Sequence, residues 1–222
     1  LYESVAFTSI FFIMHLHHNL SKNILSWYDN NQRVLPWRVG KKPRKKLYYR
    51  LLSEFMLQQT QVKTVIPYFK TFLHNFPTLE SLSESNENKI LKLWEGLGYY
   101  RRARNLLATS KILVNEHNSK LPKNLTDIKK LPGIGDYTAN ALLAFIHNYP
   151  TIALDGNVKR VFSRILNKNE NKINFYELIK INEKKLFKSK RNSDFVEAMM
   201  EFGALICKPK KPNCFKCNIK NI

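Results

Sequence analysis

Apolar residues recur along this chain at the spacing of one helical face. Val62, Val65, Ile66, Phe69, Phe72, Leu73 and Phe76 stand three or four positions apart, the period of about 3.6 residues that a half-buried helix requires. Pro67 falls inside that stripe, so it must sit early in the helix or bend it. A second stripe, Ala103, Leu106, Leu107 and Val114, opens beside Arg101, Arg102 and Arg104; a third is Ala139, Leu142, Leu143 and Ile146. No run sustains the period-two alternation of a strand, and the spacing predicts an all-α protein. Breaks come at Leu35-Pro36, Phe76-Pro77, Gly96-Leu97-Gly98, Leu121-Pro122, Leu131-Pro132-Gly133 and Tyr149-Pro150, where Pro and Gly punctuate helices. There is no internal repeat and no Ser/Gly linker. The basic run Lys41 to Lys46 reads as a solvated loop.

With 222 residues, the chain can bury a real core as one large domain or two small lobes. Its charge is the unusual quantity: 37 Lys and Arg against 17 Asp and Glu give +20. Such an excess predicts a polyanionic partner, usually nucleic acid, unless it reflects only a Lys- and Asn-heavy composition. All three cysteines fall between Cys207 and Cys217, so no disulfide framework spans the fold and metal or cluster ligation is the natural reading. The apolar stretch Val5 to Met14 is too short to span a bilayer and lacks a basic flank. Residues 1–18 read as an upstream or disordered segment, and Met14 is a candidate start.

Three segments carry chemistry. Leu131-Pro132-Gly133-Ile134-Gly135 precedes a helical stripe. Pro ends one helix, and Gly133 and Gly135 allow backbone angles closed to other residues. Such a turn points bare N–H groups and a helix N-terminus at a phosphate, or serves as a plain helix–helix turn. The second is Ser53-Glu54-Phe55-Met56-Leu57-Gln58-Gln59-Thr60, paired with Leu154-Asp155-Gly156-Asn157-Val158. In its apolar run Glu54 would be desolvated and hold a proton at neutral pH, whereas Asp155 would stay ionised if backbone N–H groups bond it. An acid and an anion are what glycosidic cleavage through an oxocarbenium-like transition state needs; a packing or salt-bridged Glu54 is the plainer alternative. The third is Cys207-x6-Cys214-x2-Cys217, a spacing for zinc or an iron–sulfur cluster that wants a fourth ligand.

Together these segments resemble the endonuclease III/MutY superfamily of helix-hairpin-helix glycosylases, over about residues 25 to 222. That superfamily's C-x6-C-x2-C-x5-C loop holds a [4Fe–4S] cluster, which implies that role for Cys207, Cys214 and Cys217. The fourth Cys is then expected just past Ile222, followed by a domain recognising oxidised guanine. Leu35-Pro36-Trp37-Arg38, Met56 to Val62, Gly96 to Asn105, Asp155 to Arg160 and Phe195 to Met200 look like the adenine branch of the superfamily. Tyr137 discriminates most. The lyases carry a Lys at the matching position, whose amine attacks the sugar, and a phenol cannot do this. The resemblance implies that Glu54 protonates the leaving adenine and Asp155 stabilises the sugar cation, with Tyr137 and Asn157 in support. It implies Trp37, Arg38, Leu57 and Glu197 around the extruded base, and Gln58, Gln59 and Tyr99 at the duplex, with Gln59 and Tyr99 as the wedge. Two departures stand near the pocket entry: Leu47 replaces a common Pro, and Leu51 a common Trp, in a segment after Arg38 that is longer and more basic than usual.

The expected architecture is all-α and two-lobed. A six-helix barrel with the hairpin would cover 36–149, and a cluster lobe 19–35 with 150–222, with double-stranded DNA between them. The expected reaction is hydrolysis of adenine mispaired with 8-oxoguanine or guanine, by a cytoplasmic, nucleoid-associated monomer that needs no membrane. The rivals are an endonuclease III-like glycosylase/lyase for oxidised pyrimidines and a non-catalytic DNA-binding module.

Overall fold

The computed structural model describes residues 20–39, 43–172, 174, 175, 177, 179, 187 and 190–220. Among them there are helices and no strand. The chain divides into two compact units, Val34–His147, and Leu1–Arg33 with Asn148–Ile222. The segment 1–18 lies outside the described residues.

The Val34–His147 unit is built on α2 (Pro43–Leu57), which packs on α3 (Val62–Asn75), α6 (Arg101–His117) and α8 (Asp136–His147). Leu51, Leu52, Phe55 and Met56 give α2 a face with no exposure at all, so hydrophobic burial fixes it in place. Val65, Phe69 and Phe72 meet that face from α3, and Trp94, Leu106 and Leu142 join the same core. Short helices α4 (Leu79–Ser83), α5 (Glu87–Trp94) and α7 (Leu125–Lys129) complete the unit. Each starts on a side chain that accepts a backbone N–H three residues on: Thr78, Asn86 and Asn124, which satisfies a donor the helix cannot. The Pro and Gly breaks fall between helices, and Pro67 lies inside α3 as its sixth residue.

The basic run departs from the solvated loop expected of it. Within the basic run, Pro43 to Lys46 is the first turn of α2 rather than loop, because Pro at the first helical position forfeits only an N–H that has no partner there anyway. Lys41 and Lys42 lie outside the described residues.

The other unit joins helix α1, residues 20–31, to α9 (Gly156–Ile165) and α10 (Asn192–Leu205). Its core includes Ile24, Trp27, Val161, Phe162, Met199 and Phe202. Trp27 meets Phe202 edge-on at 5.1 Å. Polar clamps lie beside this contact: Tyr28 donates its hydroxyl to Glu197, and Arg33 grips Glu201 with Nε and Nη2 at 2.9–3.1 Å.

Candidate functional site

In the Val34–His147 unit, Glu54 is 6% exposed on α2, between Ser53 and Phe55, which have no exposure. The desolvation expected of it is there. Leu57, half-buried, ends the helix, and Gln58 reaches the hairpin by donating Nε2 to the Gly133 carbonyl at 3.4 Å. Next comes Gln59, exposed and in the left-handed region at φ 57°. The Gly96–Tyr100 loop holds a second such residue: Tyr99 has φ 50° and is 66% exposed. Trp37 is only 3% exposed and packs edge-on to Phe69 at 5.3 Å, so it is a core residue of this unit. Arg38 beside it is half-buried.

The hairpin turn sits on α6. Thr109 donates its hydroxyl to the Pro132 carbonyl at 2.9 Å, and the Ile134 N–H closes the turn on the Leu131 carbonyl at 3.2 Å. The two glycines do different things. Gly133 has φ 76°, and a Cβ there would lie 2.5 Å from Asn105 Nδ2, so both conformation and space demand glycine. Gly135, expected to use the same freedom, does not: its φ is not positive and a Cβ would meet nothing within 4 Å. Its carbonyl accepts the Ala139 N–H at 2.9 Å and so opens α8. Tyr137, half-buried, is in the first turn of that helix.

The run Arg101-Arg102-Ala103-Arg104 is not a uniform cluster. Arg101 is exposed, and Arg104 pairs with Glu87 at 2.7 Å. Arg102 is 6% exposed and turned inward. One guanidinium nitrogen donates to the carbonyls of Met56 at 2.9 Å and Gln58 and to the Thr60 hydroxyl at 3.1 Å; the other donates to the carbonyls of Leu97 at 2.9 Å and Gly98 at 3.2 Å. The apolar positions around Arg102 give no sign of this, and its Arg neighbours suggest a solvated face.

In the other unit, Asp155 caps α9. Its Oδ1 accepts the Val158 N–H at 2.7 Å and its Oδ2 accepts Asn157 Nδ2 at 2.9 Å. The expected N–H bonds are therefore present, but burial outweighs them: desolvation raises the carboxyl above its ordinary value of 3.8, while those bonds and nearby Arg160 pull it down. Asn157 is fixed in turn, because its Oδ1 accepts Arg160 Nη2 at 2.8 Å. Arg160 also donates to the carbonyls of Gly203 and Cys207 at 2.8 Å each. A Cβ on Gly203 would lie 2.6 Å from Asn157 Cβ, so this glycine makes room for Asn157. Arg160 is thus a member of the site that spacing alone does not reveal. Glu197 is 5% exposed beneath the Tyr28 hydroxyl.

The three thiols share one cavity of about 190 Å³. Val161, Ile165, Phe202 and Ile206 supply apolar wall, and Arg164 donates to Cys207 Sγ at 3.3 Å. Burial raises the Cys217 thiol, and Cys207 and Cys214 push it the same way. Among the described residues, no three His, Cys, Asp or Glu side chains gather around a single metal ion. Nor is any described helix long and apolar enough to cross a membrane.

Residues 52–185 match the model of the HhH-GPD superfamily of base excision DNA repair proteins. An adenine DNA glycosylase of Buchnera aphidicola subsp. Schizaphis graminum is 44% identical over 210 residues, covering 89% of this chain and 56% of that protein. The human adenine DNA glycosylase is 34% identical over 207 residues, covering 90% of this chain and 38% of its own length. The chain thus spans 56% of the length of the first of these relatives and 38% of the second. Among solved structures, a thermostable thymine-DNA glycosylase aligns with a TM-score of 0.79 at 25% identity, covering 92% of this chain and 94% of that one. A trapped endonuclease III–DNA covalent intermediate aligns at 0.71, with 22% identity and 92% of each chain, and shares the fold.

Proposed function

Because the chain belongs to the HhH-GPD superfamily of base excision DNA repair proteins, we propose that it hydrolyses the N-glycosidic bond of adenine mispaired with 8-oxoguanine or guanine in double-stranded DNA. The product is an abasic site. The adenine specificity rests on the adenine DNA glycosylases to which the chain is 34–44% identical and on Tyr137, a phenol where a lyase needs an amine.

The observation that carries the reading is Asp155: a withdrawn carboxylate with hydrogen-bond donors on both oxygens. An anion held this way is pre-organised to face a developing sugar cation, since little needs to reorient during reaction. Glu54, withdrawn from water on α2, gives its proton to the adenine ring as the C1′–N9 bond breaks and its electron pair leaves with the base. The resulting carboxylate then takes a proton from the water that adds at C1′, which returns Glu54 to its starting state. Tyr137 and Asn157 support the reaction; Trp37, Arg38 and Leu57 of the Val34–His147 unit, Trp37 from within the core, and Glu197 of the other unit are the residues that recognise adenine. Extrusion of the base costs a few kcal/mol. Gln59 and Tyr99 offset this by filling the vacated stack, while the Gly133–Gly135 turn and the first turn of α8 hold a backbone phosphate.

Cys207, Cys214 and Cys217 suit a [4Fe–4S] cluster: three thiols border a single cavity wider than one ion needs, with apolar walls and an arginine at one sulfur. Bound there, the cluster would supply iron–thiolate bonds that cross-link the loop, and the excision step uses protein side chains only. The enzyme works as a monomer on cytoplasmic, nucleoid DNA.

Single-turnover excision from a duplex with adenine opposite 8-oxoguanine tests this. Wild type should yield alkali-labile strands and no borohydride-trapped adduct, whereas Glu54→Gln should bind the duplex and leave it intact. A trapped covalent adduct, or excision by Glu54→Gln at the wild-type rate, would overturn the reading.

A further inference from the structure

Arg102 combines a buried charge with contacts to two loops at once. The 57–60 loop carries Gln59, and the 95–100 loop carries Tyr99; both residues have left-handed backbone. One guanidinium nitrogen serves the first loop and the other serves the second. The ring of Tyr99 and the ring of Trp94 each lie 5.5 Å from the guanidinium carbon, and Trp94 Nε1 donates to the Gly98 carbonyl at 3.1 Å. A solvated arginine for phosphate binding would point outward, as Arg101 does; Arg102 is spent on backbone carbonyls. A planar fork with fixed N–H directions can hold two separate carbonyl sets in register, which an ammonium, a point donor of three N–H groups, cannot.

We infer that Arg102 is a positioning residue for base extrusion: its guanidinium sets the Gln59 loop and the Tyr99 loop relative to each other, so that both side chains enter the duplex as one wedge. This rests on the glycosylase reading for the roles of Gln59 and Tyr99. Arg102 touches neither DNA nor the leaving base.

The test places 2-aminopurine at the adenine position opposite 8-oxoguanine and reads its fluorescence rise on binding the full chain, well below each variant's Tm. Arg102→Lys should bind undamaged duplex with wild-type affinity, yet lose about tenfold in the fluorescence change and in single-turnover adenine excision. Adding Arg102→Lys to a Gln59→Ala/Tyr99→Ala variant should cost little more, because the arginine acts through them. Thr60→Val, which removes one acceptor and keeps the charge, should show a smaller loss in the same direction, and it carries the test if Arg102→Lys does not fold. Losses that simply multiply, or a wild-type fluorescence rise in either folded variant, would overturn the inference. A wild type that unstacks 2-aminopurine but excises no adenine would break the proposed reaction and leave Arg102 in its role.

Discussion

Replacing Asp155 by Asn should remove excision while leaving the fold at least as stable as wild type at neutral pH. The wild-type carboxyl is pushed above 3.8 by burial, in spite of its bonds to Val158 and Asn157. The folded state therefore binds that proton more tightly than the unfolded chain does. Its contribution to stability is complete below the ordinary carboxylate range and is lost as pH rises through the raised value, so at pH ~7 the protein holds a desolvated charge at a cost. Asn is as good an N-cap as Asp and keeps an acceptor for the Val158 N–H, though it gives up the bond from Asn157, about 1 kcal/mol. The Tm difference, Asp155→Asn minus wild type, should thus be largest near pH ~7 and shrink toward pH ~4. Asp155→Ala is the control: it loses the cap as well, about 1 kcal/mol or roughly 2–4 °C in a chain of this size. Excision by either variant should fall by about 10²-fold or more, as expected on losing a pre-organised electrostatic partner of the transition state. Thermal unfolding from pH ~4 to ~8 reads the first effect. A difference that is flat with pH, or that grows on acidification, would refute the burial argument.

Other consequences can be measured directly. Arg33→Ala removes the guanidinium that grips the Glu201 carboxylate, which is 2% exposed on α10, and should cost about 2 kcal/mol in denaturant unfolding. Gly133→Ala should cost about 2 kcal/mol through its left-handed φ, and Asn105→Ala should not relieve it, since the Asn105 Cβ itself lies 2.7 Å from the added carbon; recovery of Tm in the double variant would count against this. With a formal charge of +20, duplex affinity should fall linearly in a log–log plot against salt, roughly 10³-fold from ~50 to ~200 mM if about six phosphates are contacted; a shallow slope would count against backbone binding.

The fold was largely legible because its signal is periodic. The α3, α6 and α8 stripes became buried faces, and Pro and Gly marked the ends. What was not legible depends on where a polar side chain points. Arg101, Arg102 and Arg104 are neighbours in sequence but meet solvent, carbonyls and Glu87 respectively, and adjacency on a helix turns each about 100° from the next. Gly133 and Gly135 look alike in the motif, yet only Gly133 has positive φ, and Asn105 closes the space at it while nothing does at the other. For Asp155 the sequence offered backbone N–H bonds only as the condition for staying ionised, whereas its place as the cap of α9 and the balance between burial and hydrogen bonding needed coordinates.

The same distinction locates the strain. Asn118, Asn148 and Asn167 adopt positive φ just after α6, α8 and α9, where Asn tolerates the left-handed region and helices commonly end in it. Gln59 and Tyr99 have no such excuse: neither residue type favours φ near +50°, and neither ends a helix with the usual small or Asn residue. Such conformations persist only where surrounding bonds over-determine them. Here those bonds converge on Arg102, which holds the carbonyls of Gln58 and Gly98, the residues immediately before Gln59 and Tyr99. Substituting Gln59 by Gly would therefore relieve backbone strain and should raise Tm, while removing a side chain proposed to enter the duplex. If Gln59→Gly instead lowers both Tm and affinity for undamaged DNA, the strain is not stored at this position, and the case for a wedge preset by the fold fails with it.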